Sequence, residues 1–504
     1  MPPIERVFVL MLENRSFDHM LGFSGIAGTD AATNAPTKIN GLTGAESNSW
    51  NGTIFRAATP AVDPMKADPY HEFSDVLEQL CGQSATYPSG GPYPPINNTG
   101  FVSNFAVDAI PNQPSAGATP GGVMQCFDKS ILPVLTALAE EFAVCDSWFC
   151  SMPGPTWPNR FFALGASSAD LDHSPTTANT LLWQTIDGFK FQNGSIFDRG
   201  NGFKWRIYAG NKIFTLAHAL KGIHIWDVTR YSKFAADVLD PNYPAQFTWI
   251  EPNYGHVTSD YLGGNSQHPL DGVTGGEALI KATYEAIRNS PLWNSSMLII
   301  TWDEHGGFYD HVAPPPAIPP GDVSQFSGAN QTNFPFDQYG PRVPAVVISP
   351  LIPRNLIDHH AYDHTSILAT VERLFGIQPL TARDRGALDL LSLASLPAPR
   401  PDAPASISLL PAMDLVQRQT SLDTLEVETP PATQENEEID KTRNLPGFLY
   451  VAGKTDLEIP LQGLSLDAHA ARVRDRVGSI RTRGDARDYF EEVRRKTLAA
   501  ESRP

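Results

Sequence analysis

An α/β fold built on a central, mostly parallel sheet is predicted by three observations. Short continuous apolar runs alternate with segments of helical periodicity. The runs lack polar alternation, as strands covered on both faces do. Glycine and proline are abundant, 39 and 44 in 504 residues, and cluster between the runs, which marks long ordered loops.

The elements follow in order. Val7–Leu12 reads as a buried strand. The segment Gly25–Pro120, rich in Gly, Asn, Thr and Pro, reads as loops laid over the sheet rather than a domain. Phe127–Phe142 has an apolar stripe of Ile131, Leu132, Leu135, Leu138 and Phe142, which predicts an amphipathic helix. Phe142–Cys145 then reads as a strand, Ser151–Pro155 as a loop, and a helix opens near Thr156. Further strands are expected at Lys204–Ala209, Gln246–Ile250, Met297–Trp302 and Val343–Ser349, and helices at Gly276–Asn289 and His364–Phe375.

The carboxyl end differs, so the chain divides into a domain of residues 1–400, an acidic linker at 401–441 and a helical tail at 442–504. Ser421–Lys441 holds seven acids and one base around Pro430 and Pro431. From Arg472 onward ten basic residues face six acids, with Val473, Val477, Ile480, Tyr489, Phe490 and Val493 partly at helical spacing. That pattern reads as a helix packed on the core, the alternative being a partner-binding or oligomerisation element.

A net charge of −18 argues against a nucleic-acid partner and against adhesion to anionic membranes. No apolar run approaches the ~20 residues of a transmembrane segment. No secretory leader precedes Glu13, so a cytoplasmic location is expected. Cys81, Cys126, Cys145 and Cys150 show no paired CxxC spacing and read as free, mostly buried thiols.

The chemistry concentrates at strand ends, where α/β sheets bind ligands. One strand ends in Glu13-Asn14-Arg15-Ser16 and another in Asp303-Glu304-His305-Gly306. If the two are neighbours, three carboxylates converge, and a cation is needed to keep them ionised together. All-oxygen ligands suit Mg²⁺, Mn²⁺ or Ca²⁺ better than Zn²⁺. Each cluster could instead simply cap a turn. Thr156 precedes Pro158, a residue that fits a first helical turn, so its hydroxyl is either a cap or a nucleophile held where the helix start favours an anion. A metal ion would activate such a hydroxyl. His71 and His268 lie in loop contexts, and a histidine there could hold phosphate or protonate a leaving oxygen.

These residues carry a resemblance. Phe8–His19, Asp146–Arg160, Thr301–Pro315, Tyr339–Pro350 and Asp363–Leu368 resemble, in order, the blocks of the bacterial phosphoesterase family, over roughly residues 4–380. That family contains phosphatidylcholine-type phospholipases C and acid phosphatases. The resemblance implies an alkaline-phosphatase-like α/β sandwich. It implies one divalent metal, zinc included among the possibilities, held by Glu13, Asn14, Asp303 and Glu304, with Thr156 as nucleophile and further ligand. His71 and His268 match the phosphate-contacting histidines; His256, His305 and His311 are candidates for a third. Asn159, Arg160 and His305 are further expected substrate contacts. The implied activity is hydrolysis of phosphodiesters of the phospholipase C type on a small-molecule or lipid substrate. The alternatives are an acid phosphatase acting on monoesters, or a non-catalytic binding module on a hydrolase fold. The Phe308, Tyr309 and Phe326–Phe336 loops could supply an apolar patch for a diester, or a lid.

Overall fold

A computed structural model describes residues 4–113, 117–176, 188–200, 202–323, 328–409, 435–440, 443–459 and 465–502. Its strands are β1 (Arg6–Leu12), β2 (Ala27–Asp30), β3 (Pro36–Lys38), β4 (Ser47–Trp50), β5 (Thr53–Arg56), β6 (Ala143–Cys145), β7 (Trp205–Ala209), β8 (Val228–Arg230), β9 (Phe247–Glu251), β10 (Ser296–Trp302), β11 (Ala345–Ile348) and β12 (Leu356–Asp358). Ten of them form one sheet in the order β3-β2-β12-β6-β11-β10-β1-β9-β7-β8, and β4 and β5 make a separate hairpin. β1 is central and runs parallel to both β10 and β9, with Leu12 opposite Trp302. β11 is the antiparallel member between β10 and β6. The unbroken apolar strands β1, β9, β10 and β11 are buried almost throughout, as a sheet covered on both faces requires.

Two expectations need correction. The predicted Phe127–Phe142 helix is the shorter Pro133–Glu141, with Pro133 in its first turn. Ahead of it, Asp128 accepts from the Ser130 amide at 2.8 Å and closes a turn that leaves Ile131 38% exposed. Gly25–Pro120 is more than loops. It adds β2 and β3 to the sheet edge, and its Phe73–Cys81 helix packs Val76 and Leu80 against Phe101, Val102 and Phe105 in an apolar cluster of its own. The four cysteines are free, three of them buried.

The tail forms helices Asn444–Glu458, Leu466–Gly478 and Arg483–Glu501. The first is buried along nearly its whole length. Gly447 lies so close to the Trp157 indole that a Cβ would come within 2.3 Å of it. Phe448 meets the rings of Phe214 and Tyr254, both at 5.4 Å, and Phe490 meets Phe214 at 4.8 Å. Glu458 accepts from the Ile225 amide and from Lys454, and its Oε2 lies 3.0 Å from the His218 ring. The tail thus shares the main core. Of the acidic run Ser421–Lys441, all but residues 435–440 lie outside the described residues.

One buried carboxyl ties two helices together. Glu277, on the Thr274–Arg288 helix, accepts from the amides of Val134 at 2.7 Å and Leu135 at 3.1 Å, donors that the first turn of Pro133–Glu141 leaves unpaired. Burial pushes this carboxyl up to about 8, against the pull of the two amides. A raised value gives stability that is complete below the unfolded carboxyl range, ~4.3, and lost as pH climbs through about 8. Glu277→Gln is therefore expected to lose less stability than wild type over that interval. Denaturation midpoints measured against pH should diverge there; parallel curves would refute it.

Candidate active site

The parallel pairing of β1 and β10 brings the two polar strand ends together, as the sequence motifs required. The chain leaves β1 at Asn14, which sits at φ 58°, a left-handed conformation that asparagine tolerates. Its amide donates to Asp303 Oδ1 at 3.1 Å, and the Arg15 amide donates to the Glu304 carbonyl at 3.0 Å. Beyond β10, Gly306 also has positive φ, and a Cβ there would lie 2.1 Å from the Asn14 carbonyl oxygen. Only glycine permits so close an approach of the two loops.

Glu13, Asn14, Asp303 and Glu304 are all buried. Asn14 Nδ2 lies 3.0 Å from His71 Nε2 and also donates to Glu304. Both Glu13 carboxylate oxygens, Asn14 Oδ1 and Thr156 Oγ1 lack a hydrogen-bond partner. Burial, then Asp303, pushes the Glu13 carboxyl well above its ordinary range, with Arg160 and Ser266 pulling the other way. Burial likewise raises Glu304 to about 8. Buried oxygens left unsatisfied call for an explanation. A divalent cation fits this donor set, since it would satisfy the oxygens and hold the carboxylates ionised.

A tighter grouping of Asp18, Asp310 and His311 needs no metal. The Arg342 guanidinium already donates to Asp310 at 2.8 Å and to Asp18 at 2.9 Å, and His311 Nδ1 lies 2.7 Å from Asp18.

Thr156 is the first residue of the Thr156–Gly165 helix, with Pro155 at the cap position. Its hydroxyl does no capping and is buried without a partner. One turn further on, Arg160 Nε donates to Asp303 Oδ2 at 2.8 Å and Nη2 to the Leu12 carbonyl at 2.9 Å. This places the helix start against the strand ends.

Two histidines differ in charge. His71 would be lowered by burial, but Glu304 and then Asp68 outweigh that and raise it to about 9. His268, stacked on Tyr261 at 3.6 Å, is held well below its ordinary value by burial and then by His71. Its Nε2 has no hydrogen-bond partner and lies 3.8 Å from Asp68 Oδ1. The two imidazoles are thus shifted in opposite directions, the separation that acid and base roles need.

Other expected contacts point elsewhere. Asn159 accepts from the Met152 amide at 3.1 Å and donates to the Gly154 carbonyl at 2.9 Å, so it shapes the Ser151–Pro155 loop. Arg160 is engaged with Asp303 and backbone through Nε and Nη2, and only its buried Nη1 has no hydrogen-bond partner among the described residues. His305 Nε2 lies 2.7 Å from Gln79 Oε1, and His311 belongs to the Arg342 network. His256 forms an isolated bridge with Leu262. Phe308, Tyr309, Phe334 and Phe336 are buried rather than forming an exposed patch, and Phe326 lies outside the described residues. Three contributors were given no site role from the sequence, although His364 lies within the Asp363–Leu368 block. Asp68 faces both histidines, and its carboxyl is raised by burial to about 6. His364 Nε2 donates to the Asp303 carbonyl at 2.6 Å. Arg443 comes from the tail.

His71, Asp68, Glu72, Tyr261 and Arg443 line an open cavity of about 260 Å³. A hydroxyl at a helix start, oxygen donors at strand ends and two dissimilar histidines are the parts of a hydrolytic site carried on a mixed α/β sheet. A family model described as the phosphoesterase family matches residues 4–378, and the chain belongs to that family. It is a phosphoric ester hydrolase. Non-specific phospholipase C6 of Arabidopsis thaliana is 36% identical over 430 residues, covering 80% of this chain and 75% of its own length. Non-specific phospholipase C3 of the same plant is 34% identical, with 81% and 77% covered. Phospholipase C B of Mycobacterium tuberculosis is 30% identical, with 79% and 78% covered. Among solved structures, an alkaline phosphatase superfamily protein from Vibrio parahaemolyticus aligns at TM-score 0.31 and 11% identity, over 51% of this chain and 64% of that one. An overlap that slight carries no argument. No described helix is long and apolar enough to cross a membrane.

Proposed function

We propose that the protein hydrolyses phosphodiesters of the phospholipase C type, with Thr156 as nucleophile. The observation that carries this is the Thr156 hydroxyl, buried and unbonded at the start of a helix that Arg160 ties to Asp303 and to the end of β1, the strand end at which the Glu13 and Asn14 oxygens are also left without partners. Glu13, Asn14, Thr156, Asp303 and Glu304 would hold one divalent cation. Bound there, it would supply a lowered hydroxyl pKa at Thr156 and positive charge for the phosphoryl oxygens. Thr156 Oγ1 passes its proton to neutral His268 and bonds to phosphorus as the bond to the leaving oxygen breaks. His71, protonated, gives that oxygen its proton. Water then attacks phosphorus and gives a proton to the now neutral His71, while the bond to Thr156 breaks and His268 returns its proton to Oγ1.

Two things favour a diester over a monoester. The curated relatives are named phospholipases C. Arg160, the cation that could have met a second ionised oxygen, is buried against Asp303. The test is hydrolysis of bis-p-nitrophenyl phosphate and p-nitrophenyl phosphate, before and after metal stripping. Diester turnover restored by one added divalent metal is expected. Monoester turnover alone would move the protein to the phosphatases, and no turnover with any metal would refute an active site here.

A further inference from the structure

We infer that Arg443, contributed by the tail beyond the family-matched residues, is the cation that holds the anionic oxygen of the substrate. The inference rests on the phosphodiester reading above. An anionic ester needs a positive group on the open side of the site, and few described side chains qualify. Arg160 is engaged by Asp303 and two backbone carbonyls. Arg15 is enclosed, donating to the Gln267 carbonyl at 2.8 Å. Arg483 lines the cavity but pairs with Asp260 at 3.1 Å and Glu437 at 3.2 Å.

Arg443 is placed differently. It lines the cavity together with His71 and Asp68. Its ion-pair distances among the described residues are long, 3.5 Å to Asp440 and 3.9 Å to Asp75, and its Nε has no hydrogen-bond partner. The guanidinium carbon lies over the Tyr70 ring, 3.1 Å from its centroid, a contact that holds the side chain through the ring face and spends none of its N–H donors. Tyr70 and Arg443 also line a neighbouring cavity of about 550 Å³. The pair therefore stands between two chambers, where a phosphate group with an ester arm on each side would sit.

A single guanidinium matches the single charge of a diester. Loss of a charge-assisted hydrogen bond of this kind is expected to weaken anion binding about tenfold. The test uses the full chain with its metal restored, comparing wild type, Arg443→Gln and Arg443→Lys. Inorganic phosphate binding is read by calorimetry, and KM and kcat by bis-p-nitrophenyl phosphate turnover. Arg443→Gln should raise both the phosphate Kd and KM about tenfold with a smaller change in kcat, and Arg443→Lys should recover part of each. A phosphate Kd within twofold of wild type would overturn the assignment. So would a fall in kcat and thermal midpoint together at unchanged Kd, which would make Arg443 a prop for the tail. If wild type binds phosphate but turns over no diester, the failure lies with the reaction reading, and calorimetry still decides Arg443.

Discussion

Thr156→Ala is expected to yield a folded protein without turnover. The hydroxyl donates to nothing and accepts from nothing, so its removal breaks no hydrogen bond of the fold. The γ-methyl is lost with it, a small volume at the buried helix start that costs far less than the stability of the fold. Losing a nucleophile removes the covalent step altogether, and a fall of roughly 10³-fold or more in kcat is the measure of that. Thr156→Ser, which keeps an oxygen, should retain activity. Steady-state rates of the purified variants, alongside their denaturation midpoints, decide the matter. Turnover by Thr156→Ala within tenfold of wild type would remove Thr156 from the mechanism.

Asp303→Ala should be the most damaging change to the site, for a different reason. Asp303 is proposed to hold the metal, and it is also the buried partner of Arg160. Removing it strands a guanidinium that water cannot reach, and breaking such a pair from one side costs about 3–5 kcal/mol. Asp303→Ala/Arg160→Met removes both charges and should regain much of that stability, but none of the turnover. Urea midpoints and diester hydrolysis of the two variants separate the contributions. Recovery of turnover in the double variant would mean that Asp303 serves only to neutralise Arg160.

The parts of this molecule that a reader of the sequence can find are those governed by local pattern. β1 and β10 are continuous apolar runs that end abruptly in acids, so the strands follow from the pattern, while the convergence of their ends depends on β1 pairing with β10. Side-chain direction does not follow. Asn159 and Arg160 stand beside Thr156 in the chain, yet both turn inward to brace the loop and strand end, as does His305 toward Gln79. The Asn444–Glu458 helix was hard to foresee in detail because it is buried on every side and so carries no clear polar face. Arg443 sits just ahead of it, in no motif, and its place over Tyr70 depends on how the whole tail docks. The Phe127–Phe142 stripe misled because apolar spacing continued through a turn closed by Asp128.

The central position of β1 has a consequence for how the chain is made. Its neighbours are β9, which begins at Phe247, and β10, which begins at Ser296. A ribosome adding roughly 5–20 residues per second needs on the order of 10–60 s to reach them. Throughout that interval β1 has neither of its neighbours to pair with. Newborn chains must keep it out of contact with one another, so yield during expression should depend on temperature and on holdase chaperones more than the stability of the finished protein would suggest.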